Sequence, residues 1–594
     1  MDYNHFIIRI LSTFFLLIVF FYIYLFNDYF FRPLFFIIYL IIFYEIYKNF
    51  INRKIILLLY LYIVFSFLCL EIYLYYFYNS EIFLFLFTII IIFDTFCYLF
   101  GTLFGEKKIF KRISPNKTFA GLYLGIFFTL LLSIILNQIF EIFDLITGFI
   151  FIIMIILLSF LGDIIESIFK RISGLKNSSN LIPGHGGFFD RFDSFILCTY
   201  GLILFSYVTN YMNINIFGST GNIGTKTLSI IKNNFPFIQV NLLLANKNYK
   251  KLLTQVKLFK PKYVCLNDNT KLPLLKKKLV NCRTKIILSC DINEYLYKSK
   301  TELTILSISG YNSLNYLEAI LFNTNNLGLV SKECIVSAGH LLKKFSKKNN
   351  TKIFPLDSEH YSLNYLFSNK NFQYNNVYLT ASGGPFLTYN LKSLEKITFK
   401  QAIKHPKWKM GYKNSIDSST LANKCLELVE AHYLFDIPYE KLKIIIHPEA
   451  VIHSIVDCKN LTSIMNYFYP DMFIPIYNFL NSTNNIDNEY LNKKFEFNQT
   501  NQLNFYKVDK NKFPLFNVFD QIDKNSKIDV IKFNCSNEIA VNLFKFNKIK
   551  YNQIHQFIDN SLSLDFNNQV NSINDIVEFQ QYFKEIVLQK NEII

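Results

Sequence analysis

None of the ten cysteines stands in a C-x-x-C pair, and no histidines gather at zinc-ligand spacing, which leaves out a disulfide scaffold and a structural zinc site. Isolated cysteines of this kind behave as small buried apolar residues. No small-residue cleavage site follows the first apolar run, so that run is expected to stay as a helix rather than leave as a signal peptide. There is no internal repeat and no basic stripe interleaved with aromatics. The formal charge of +17 is carried by lysines scattered through a background rich in Asn, Ile, Phe and Tyr, the bias of an A+T-rich coding sequence. No nucleic-acid partner is expected.

What is present is unevenly distributed. The chain is 594 residues long and 52% hydrophobic, and its runs of Phe, Ile, Leu and Tyr are concentrated in residues 1–212, whereas 213–594 have the mixed polarity of a globular chain. Length alone calls for more than one domain. Stretches near 6–26, 33–48, 55–78, 82–101, 119–140, 146–168 and 192–212 are candidate membrane spans. The loops "GTLFGEKKIFKRISPNKTF" (101–119) and "FKRISGLKNSSNLIPGHGGFFDRFDS" (169–194) are basic, which places both on the cytosolic face. If the C-terminal half is cytosolic too, 192–212 is either a hairpin or follows a segment held at membrane depth in a polar cavity. The second arrangement is the expectation.

Ionisable side chains inside apolar helices mark function. Asp94 ends an apolar run, and Asp163, Glu166 and Ser167 lie one helical turn apart in "LGDIIESIFKR". In "PGHGGFFDRFD", glycines surround His185 and are followed by Asp190, Arg191 and Asp193. Glycine lets backbone amides approach phosphate, paired aspartates are hard ligands for Mg²⁺, and Lys170, Arg171, Lys176 and Arg191 supply countercharge for a polyphosphate. These residues, with "DTFCYLFGTLFG" and "ISPNKTFAG" upstream, resemble the phosphatidate cytidylyltransferase (CDP-diacylglycerol synthase) family over about residues 80–205. The resemblance implies CMP transfer from CTP to phosphatidic acid with Mg²⁺, at a site of Asp163, Ser167, Lys170, Arg171, Lys176, His185, Asp190, Arg191 and Asp193. Asn177 stands where the family pattern has Asp, and the alternative to activity is a membrane anchor without catalysis.

From Ile214 onward, short apolar runs alternate with helical stretches, the pattern of parallel βαβ units. "INIFGSTGNIGTKTL" places Gly218, Gly221 and Gly224 after the first strand, as a dinucleotide loop would. No Asp or Glu occurs from Met212 to Asn267, so the acid that grips a ribose 2′-hydroxyl is missing. Lys247, between Asn246 and Asn248, suits a 2′-phosphate instead, which favours NADPH. "PLDSEH" sets Asp357 and Glu359 two apart, on one side of an extended segment. "SSTLANKCLELVEA" reads as a capped helix carrying Asn423, Lys424 and Glu427. "ASGGPF" and "DSST" add hydroxyls and amides suited to phosphate, and "HPKWKMG" holds the only Trp.

Together with SKE (331–333), HPEAVIHS, YPDMFIPI and SNEIAV in order, these motifs resemble 1-deoxy-D-xylulose 5-phosphate reductoisomerase across 213–594. The resemblance implies Mg²⁺ or Mn²⁺ on Asp357, Glu359 and Glu427, and catalytic roles for Lys332 and His405. It implies NADPH on Gly218, Ser219, Thr220, Gly221, Asn222, Ile223, Asn246, Lys247, Asn248, Lys332 and Glu333. Substrate contacts fall to Ser358, Ser382, His405, Trp408, Met410, Ser418, Asn423, Lys424 and Glu427, with His453 in support and Trp408 and Met410 in a closing loop. Ser331, Glu449 and Cys425 depart from the usual family residues, none at a metal ligand.

The expected architecture is a polytopic α-helical membrane domain (1–212), an α/β Rossmann-like NADPH domain (213–354), an α+β catalytic domain (355–500) and a C-terminal helical domain (501–594). The expected whole is a homodimeric, multi-pass enzyme of the bacterial cytoplasmic (inner) membrane with its C-terminal half in the cytosol. With so few residues between the last apolar run and the first strand, the sheet edge opposite the cofactor crevice is expected to face the membrane.

Overall fold

The computed structural model describes residues 31–594 apart from 51, 180, 182–185, 210–211, 281, 370–372, 405–410, 483–501, 567–568 and 591–594. The chain divides between Tyr211 and Met212 into two compact units.

The first unit is helical: α1 (Phe31–Asn49), α2 (Arg53–Tyr76), α3 (Ser80–Phe104), α4 (Phe119–Ile139), α5 (Leu145–Ile172) and α6 (Phe189–Thr209). A short antiparallel pair, β1 (Lys108–Phe110) and β2 (Ser114–Thr118), joins α3 to α4. Among the described residues α2 to α6 are long and apolar enough to cross a membrane. The candidate span at 33–48 is α1, whose 19 residues include Arg32, Glu45 and Lys48, and it falls short of that criterion. The candidate at 6–26 lies outside the described residues. α6 is one unbroken helix of 21 residues, so 192–209 hold no hairpin.

Small residues let these helices approach closely, the usual packing device in lipid. A Cβ on Gly121 or Gly125 of α4 would come within 2.7 Å of the Cys97 carbonyl oxygen or 2.5 Å of its sulfur on α3. A Cβ on Gly162 of α5 would lie 2.6 Å from the carbonyl oxygen of Asp193 on α6. α2 and α6 are joined through polar groups, Ser66 Oγ lying 3.0 Å from Thr199 Oγ1 and Tyr200 donating to the carbonyl of Tyr62 at 2.6 Å.

The second unit opens with β3 (Met212–Phe217), α7 (Asn222–Asn234), β4 (Ile238–Ala245), α8 (Tyr249–Phe259), β5 (Tyr263–Leu266), β6 (Lys285–Ile286), β7 (Thr301–Leu306), β8 (Thr324–Leu329), α9 (Lys332–Asn349) and β9 (Lys352–Pro355). These seven strands form one sheet in the order β6-β5-β4-β3-β7-β8-β9, every neighbouring pair parallel. β4 is buried at all but one position, as a strand covered on both faces must be. The order reverses direction beside β3, and ligands of such sheets sit at that switch point, beyond the strand C-termini.

α10 (Ser358–Asn369) leads into a four-stranded sheet made of β10 (Tyr374–Ala381), β11 (Leu442–Ile446), β12 (Ile452–Cys458) and β13 (Ser463–Tyr467), in the order β11-β10-β12-β13. Between β10 and β11 come α11 (Tyr412–Thr420) and α12 (Ala422–Phe435). The chain ends in helices α13 (Lys527–Lys545), α14 (Ile554–Leu562) and α15 (Ile573–Lys590).

The turn from β3 to α7 depends on Gly224, where a Cβ would stand 2.5 Å from the Gly218 carbonyl oxygen and 2.6 Å from Ser219 Cα. Both neighbours are backbone, so they cannot swing aside. Gly224→Ala is expected to destabilise the second unit by about 1–3 kcal/mol, read as a lower melting temperature of the full-length protein in detergent.

Candidate active sites

In the membrane unit the acids on α5 and α6 divide into two groups. Carboxylate oxygens of Asp163, Glu166 and Asp193 all lie within 4.8 Å of one another, brought together by the close approach at Gly162. Lys117 at the end of β2 pairs with Asp163 at 2.5 Å, and Lys170 with Glu166 at 2.6 Å. Ser167 donates to Asp163 at 3.3 Å. Asp190 does not join Asp193 as a pair of metal ligands, as the sequence pattern suggests. Its oxygens accept from Lys170 Nζ at 2.8 Å, Ser178 Oγ at 2.9 Å, and the amides of Ser178 and Gly187 at 3.0 and 2.8 Å. Asp190 therefore ties the glycine-rich loop to α5. Arg171 holds the carbonyls of Ile113 and Leu175, Lys176 and Asn177 are exposed, and position 177 takes no part in the three-acid group. Arg191 follows Asp190 on α6, Asp94 lies on α3, and His185 is outside the described residues.

Glu45 of α1, which sequence reading passed over, is 1% exposed. Its carboxylate accepts from Ser179 Oγ at 2.6 Å and from the amides of Phe188 and Phe189 at 2.9 and 3.0 Å, capping the start of α6 from a distant helix. The signal was available, since an acid in an apolar run is the same clue that singled out Asp94.

In the second unit the glycine turn and three acids open on one cavity of about 430 Å³, a size usual for small-molecule sites. At its nucleotide end Gly218 has φ +86° and Gly221 donates its amide to the Gly218 carbonyl at 3.0 Å. Gln255 and Lys251 of α8 hold the carbonyls of Ser219 and Thr220 at 2.8 and 2.9 Å. Gly221, Asn222 and Ile223 line the cavity at the start of α7, where the helix dipole favours an anion. Asn246, Lys247 and Asn248 are exposed just after β4, and the Asn248 side chain caps α8.

At the other end Asp357, Glu359 and Glu427 present carboxylate oxygens within 4.8 Å of one another. Asp357 and Glu359 are not on an extended segment: Asp357 immediately precedes α10 and Glu359 is in its first turn. The strand stops at Pro355, and the helix start rather than a pleat aims both side chains at α12. Lys332 Nζ reaches Asp357 at 3.0 Å, Glu427 at 3.2 Å and the side-chain Oδ1 of Asn423 at 2.8 Å. Lys424 Nζ reaches Glu359 and Glu427, each at 2.6 Å, and the Asn423 amide donates to Glu427.

Burial opposes ionisation of Asp357, but Lys332 and then His360 hold its carboxyl well below the usual range. Burial pushes Glu427 up, partly offset by Lys424. Lys332 and Lys424 stay charged because the facing carboxylates outweigh their own desolvation. Behind them His360 Nε2 lies 3.0 Å from the Glu427 carbonyl oxygen, and its Nδ1 is 3.4 Å from Glu430 and 3.6 Å from Asp357. Neither His360 nor Glu430 was picked out from sequence, although each follows a proposed ligand by three residues, one helical turn.

Ser358, Ser382, Ser418, Asn423, Lys424 and His453 all line the cavity. Ser358 donates to Glu359 at 2.6 Å, Gly383 and Gly384 have φ of +80° and +67°, and His453 stacks on Phe468 at 4.0 Å. Leu421 joins α11 to α12 at φ +67°, a strained conformation for a branched residue. It turns Ser418 and Asn423 toward one space. Glu333 lines the cavity too, with its carboxylate 3.3 Å from Lys413 Nζ. His405, Trp408 and Met410 lie outside the described residues. Ser307, Asn414 in the first turn of α11, and Met472 of YPDMFIPI also line the cavity, and none of the three was singled out from sequence.

The fold and this site define a dinucleotide-type reductase with an acidic cation pocket, preceded by a helical membrane unit. The chain belongs to the 1-deoxy-D-xylulose 5-phosphate reductoisomerase family, whose models match residues 214–339, 353–435 and 469–586. Such an enzyme from Pelagibacter ubique is 37% identical over 344 residues, 57% of this chain and 88% of its own length. One from Clostridium tetani is 34% identical over 64% of this chain and 99% of its own. The solved reductoisomerase of Zymomonas mobilis with NADPH superposes with TM-score 0.59 at 29% identity, over 64% of this chain and all of that one. A further one, holding NADPH, fosmidomycin and magnesium, gives 0.58 at 28%, over 64% of this chain and 98% of its own. Residues 4–209 match the model of the Cytidylyltransferase family.

Two measurements follow from the geometry. The His360 pKa is lowered by burial but raised more by Glu430 and Asp357, to about 9 from 6.5. The imidazolium thus contributes stability that is complete below pH 6.5 and is lost as pH rises through about 9. In EDTA the melting temperature of the wild type is expected to fall more steeply across that interval than that of His360→Gln. For the membrane unit, Glu45→Ala leaves the Phe188 and Phe189 amides without their acceptor, and hydrogen exchange at residues 186–189 is expected to quicken while α12 is unchanged.

Proposed function

We propose that residues 212–594 convert 1-deoxy-D-xylulose 5-phosphate to 2-C-methyl-D-erythritol 4-phosphate with NADPH and Mg²⁺ or Mn²⁺, and that the membrane half transfers CMP from CTP to phosphatidic acid. The observation that carries the first assignment is the single cavity lined by both the glycine turn and the three carboxylates. Three hard oxygen donors at that spacing fit a small divalent cation, which when bound polarises the ketone and neighbouring hydroxyl oxygens of the substrate. The glycine turn fits a dinucleotide pyrophosphate, and reduced nicotinamide supplies the hydride.

The chain's own groups do the rest. Asp357, Glu359 and Glu427 would hold the cation, and Lys332 and Lys424 keep these acids ionised while offering ammonium donors to substrate oxygens. Ser382 and Ser418, with the amides around Gly383 and Gly384, hold the phosphate. Asn423 fixes Glu427 and Lys332 in place. At the nucleotide end, Lys247 and Lys251 supply the positive charge a 2′-phosphate needs, and the neighbouring Asp268 is paired with Lys271. Buried His360 and Glu430 set the position of Asp357 from behind.

For the membrane half, Asp163, Glu166 and Asp193 would hold Mg²⁺, while Lys117 and Lys170 lie where they offset phosphate charge. Asn177, exposed and apart from these acids, removes none of the three carboxylates. The protein so assigned is a homodimeric, multi-pass protein of a bacterial cytoplasmic membrane with its reductoisomerase half in the cytosol.

Purified full-length protein is expected to oxidise NADPH when given the deoxyxylulose phosphate. Asp357→Ala is expected to lower kcat roughly a thousandfold, the scale of several kcal/mol of lost charge stabilisation. Labelled CTP is expected to enter lipid, and Asp193→Asn to abolish this while NADPH oxidation persists. No label in the wild type would leave residues 1–211 as an anchor alone.

A further inference from the structure

In a sheet whose strands are all parallel, every strand start lies on one edge and every strand end on the other. Here the ends carry the glycine turn, Lys332 and Asp357, so the cavity belongs to that edge. The segments that lead into β4, β5, β6, β7 and β9 on the opposite edge read KNNFPF (232–237), KLFKPK (257–262), KKKLVNCRTK (276–285), YKSK (297–300) and KFSKKNNTK (344–352). They hold fifteen Lys and Arg and no Asp or Glu, and all fifteen side chains are exposed. Compositional drift toward lysine does not account for this, because the whole chain carries 61 bases and 44 acids. Glu294, which pairs with Lys298, lies just outside these segments. Apolar side chains stand among the bases, Val280 being 79% and Leu258 54% exposed.

The same edge is where the chain arrives. β3 begins at Met212, and only Asn210 and Tyr211 separate it from Thr209, the last residue of the final span. A strongly base-rich surface with apolar tips, whose neighbouring acids Glu294 and Glu302 are already engaged by Lys298 and the Asn213 amide, and which is fed directly from a membrane helix, matches the charge of an anionic lipid surface.

We propose that the strand-start edge of the seven-stranded sheet is a docking surface for anionic phospholipid headgroups, holding the reductoisomerase half against the leaflet with its cavity turned to the opposite side. The proposal rests on α6 being a membrane span. Near a charged surface each lysine gains about 1 kcal/mol, so docking by several together outlasts thermal motion at moderate salt and yields to high salt.

The test uses full-length protein in nanodiscs of phosphatidylcholine alone or of equal parts phosphatidylcholine and phosphatidylglycerol. Lysine acetylation is followed residue by residue. Lys277 and Lys347 are expected to react roughly fivefold more slowly in the anionic discs, the equivalent of about 1 kcal/mol, and high salt is expected to remove the difference. Lys443 on β11 is expected to react equally in both. A variant with Lys276, Lys277 and Lys278 each changed to Glu is expected to lessen the protection of Lys347 without altering NADPH oxidation. Equal acetylation of Lys277 and Lys347 in the two lipids, or equal protection of Lys443, overturns the proposal. Failure of the chain to float with the discs overturns the span on which it rests, and flotation separates that result from failed docking.

Discussion

Three carboxylates held within one cation's span, inside protein, repel one another by many times thermal energy unless positive charge is built in beside them. Lys332 and Lys424 meet that demand, each bridging two of the acids. The remainder of the second unit can be understood as what is needed to bring these five groups together. Lys332 opens α9 at the end of β8, Asp357 follows the end of β9, and Glu427 with Lys424 comes from α12, on the far side of the left-handed turn at Leu421. Two strand ends and one helix face thus supply the pocket. The parallel sheet fixes the first two because both strands finish on the same edge.

The membrane unit solves the same electrostatic problem with different parts. Asp163, Glu166 and Asp193 converge where glycine lets α5 and α6 touch, and lysines from β2 and α5 oppose them. In lipid, where water cannot screen, such a cluster persists only with its counterions fixed in place. Asp190 and Glu45 spend their hydrogen-bonding capacity on the glycine-rich loop instead, so the loop that carries the signature residues is held from both α1 and α6.

Much of this was legible in the residues. Alternation of short apolar runs with amphipathic stretches announced the parallel sheet, and the glycine turn, the acid-free stretch from Met212 to Asn267 and the spacing of Asn423, Lys424 and Glu427 pointed to the cavity. What stayed hidden was set by tertiary contact. Whether Asp357 and Glu359 sit on a strand or a helix start depends on where β9 ends, which two residues of spacing do not reveal. The division of labour between Asp190 and Asp193 depends on Ser178 and Gly187 folding back over the first. Ser307 and Met472 lie between elements and Asn414 in the first turn of α11, and no local pattern marks these three positions as facing the cavity. Glu45 lies more than a hundred residues from the loop it holds, and only the packing of α1 beside α6 connects them.

That last contact bears on the order in which the chain is made. Glu45 is synthesised long before Ser179, Phe188 and Phe189, the groups that satisfy its carboxylate. Until α6 has been inserted, the acid has no such partners, and α1 carries a polar group that an apolar surrounding resists. The surroundings of Glu45 are therefore completed only when the last helix of the membrane half is in place.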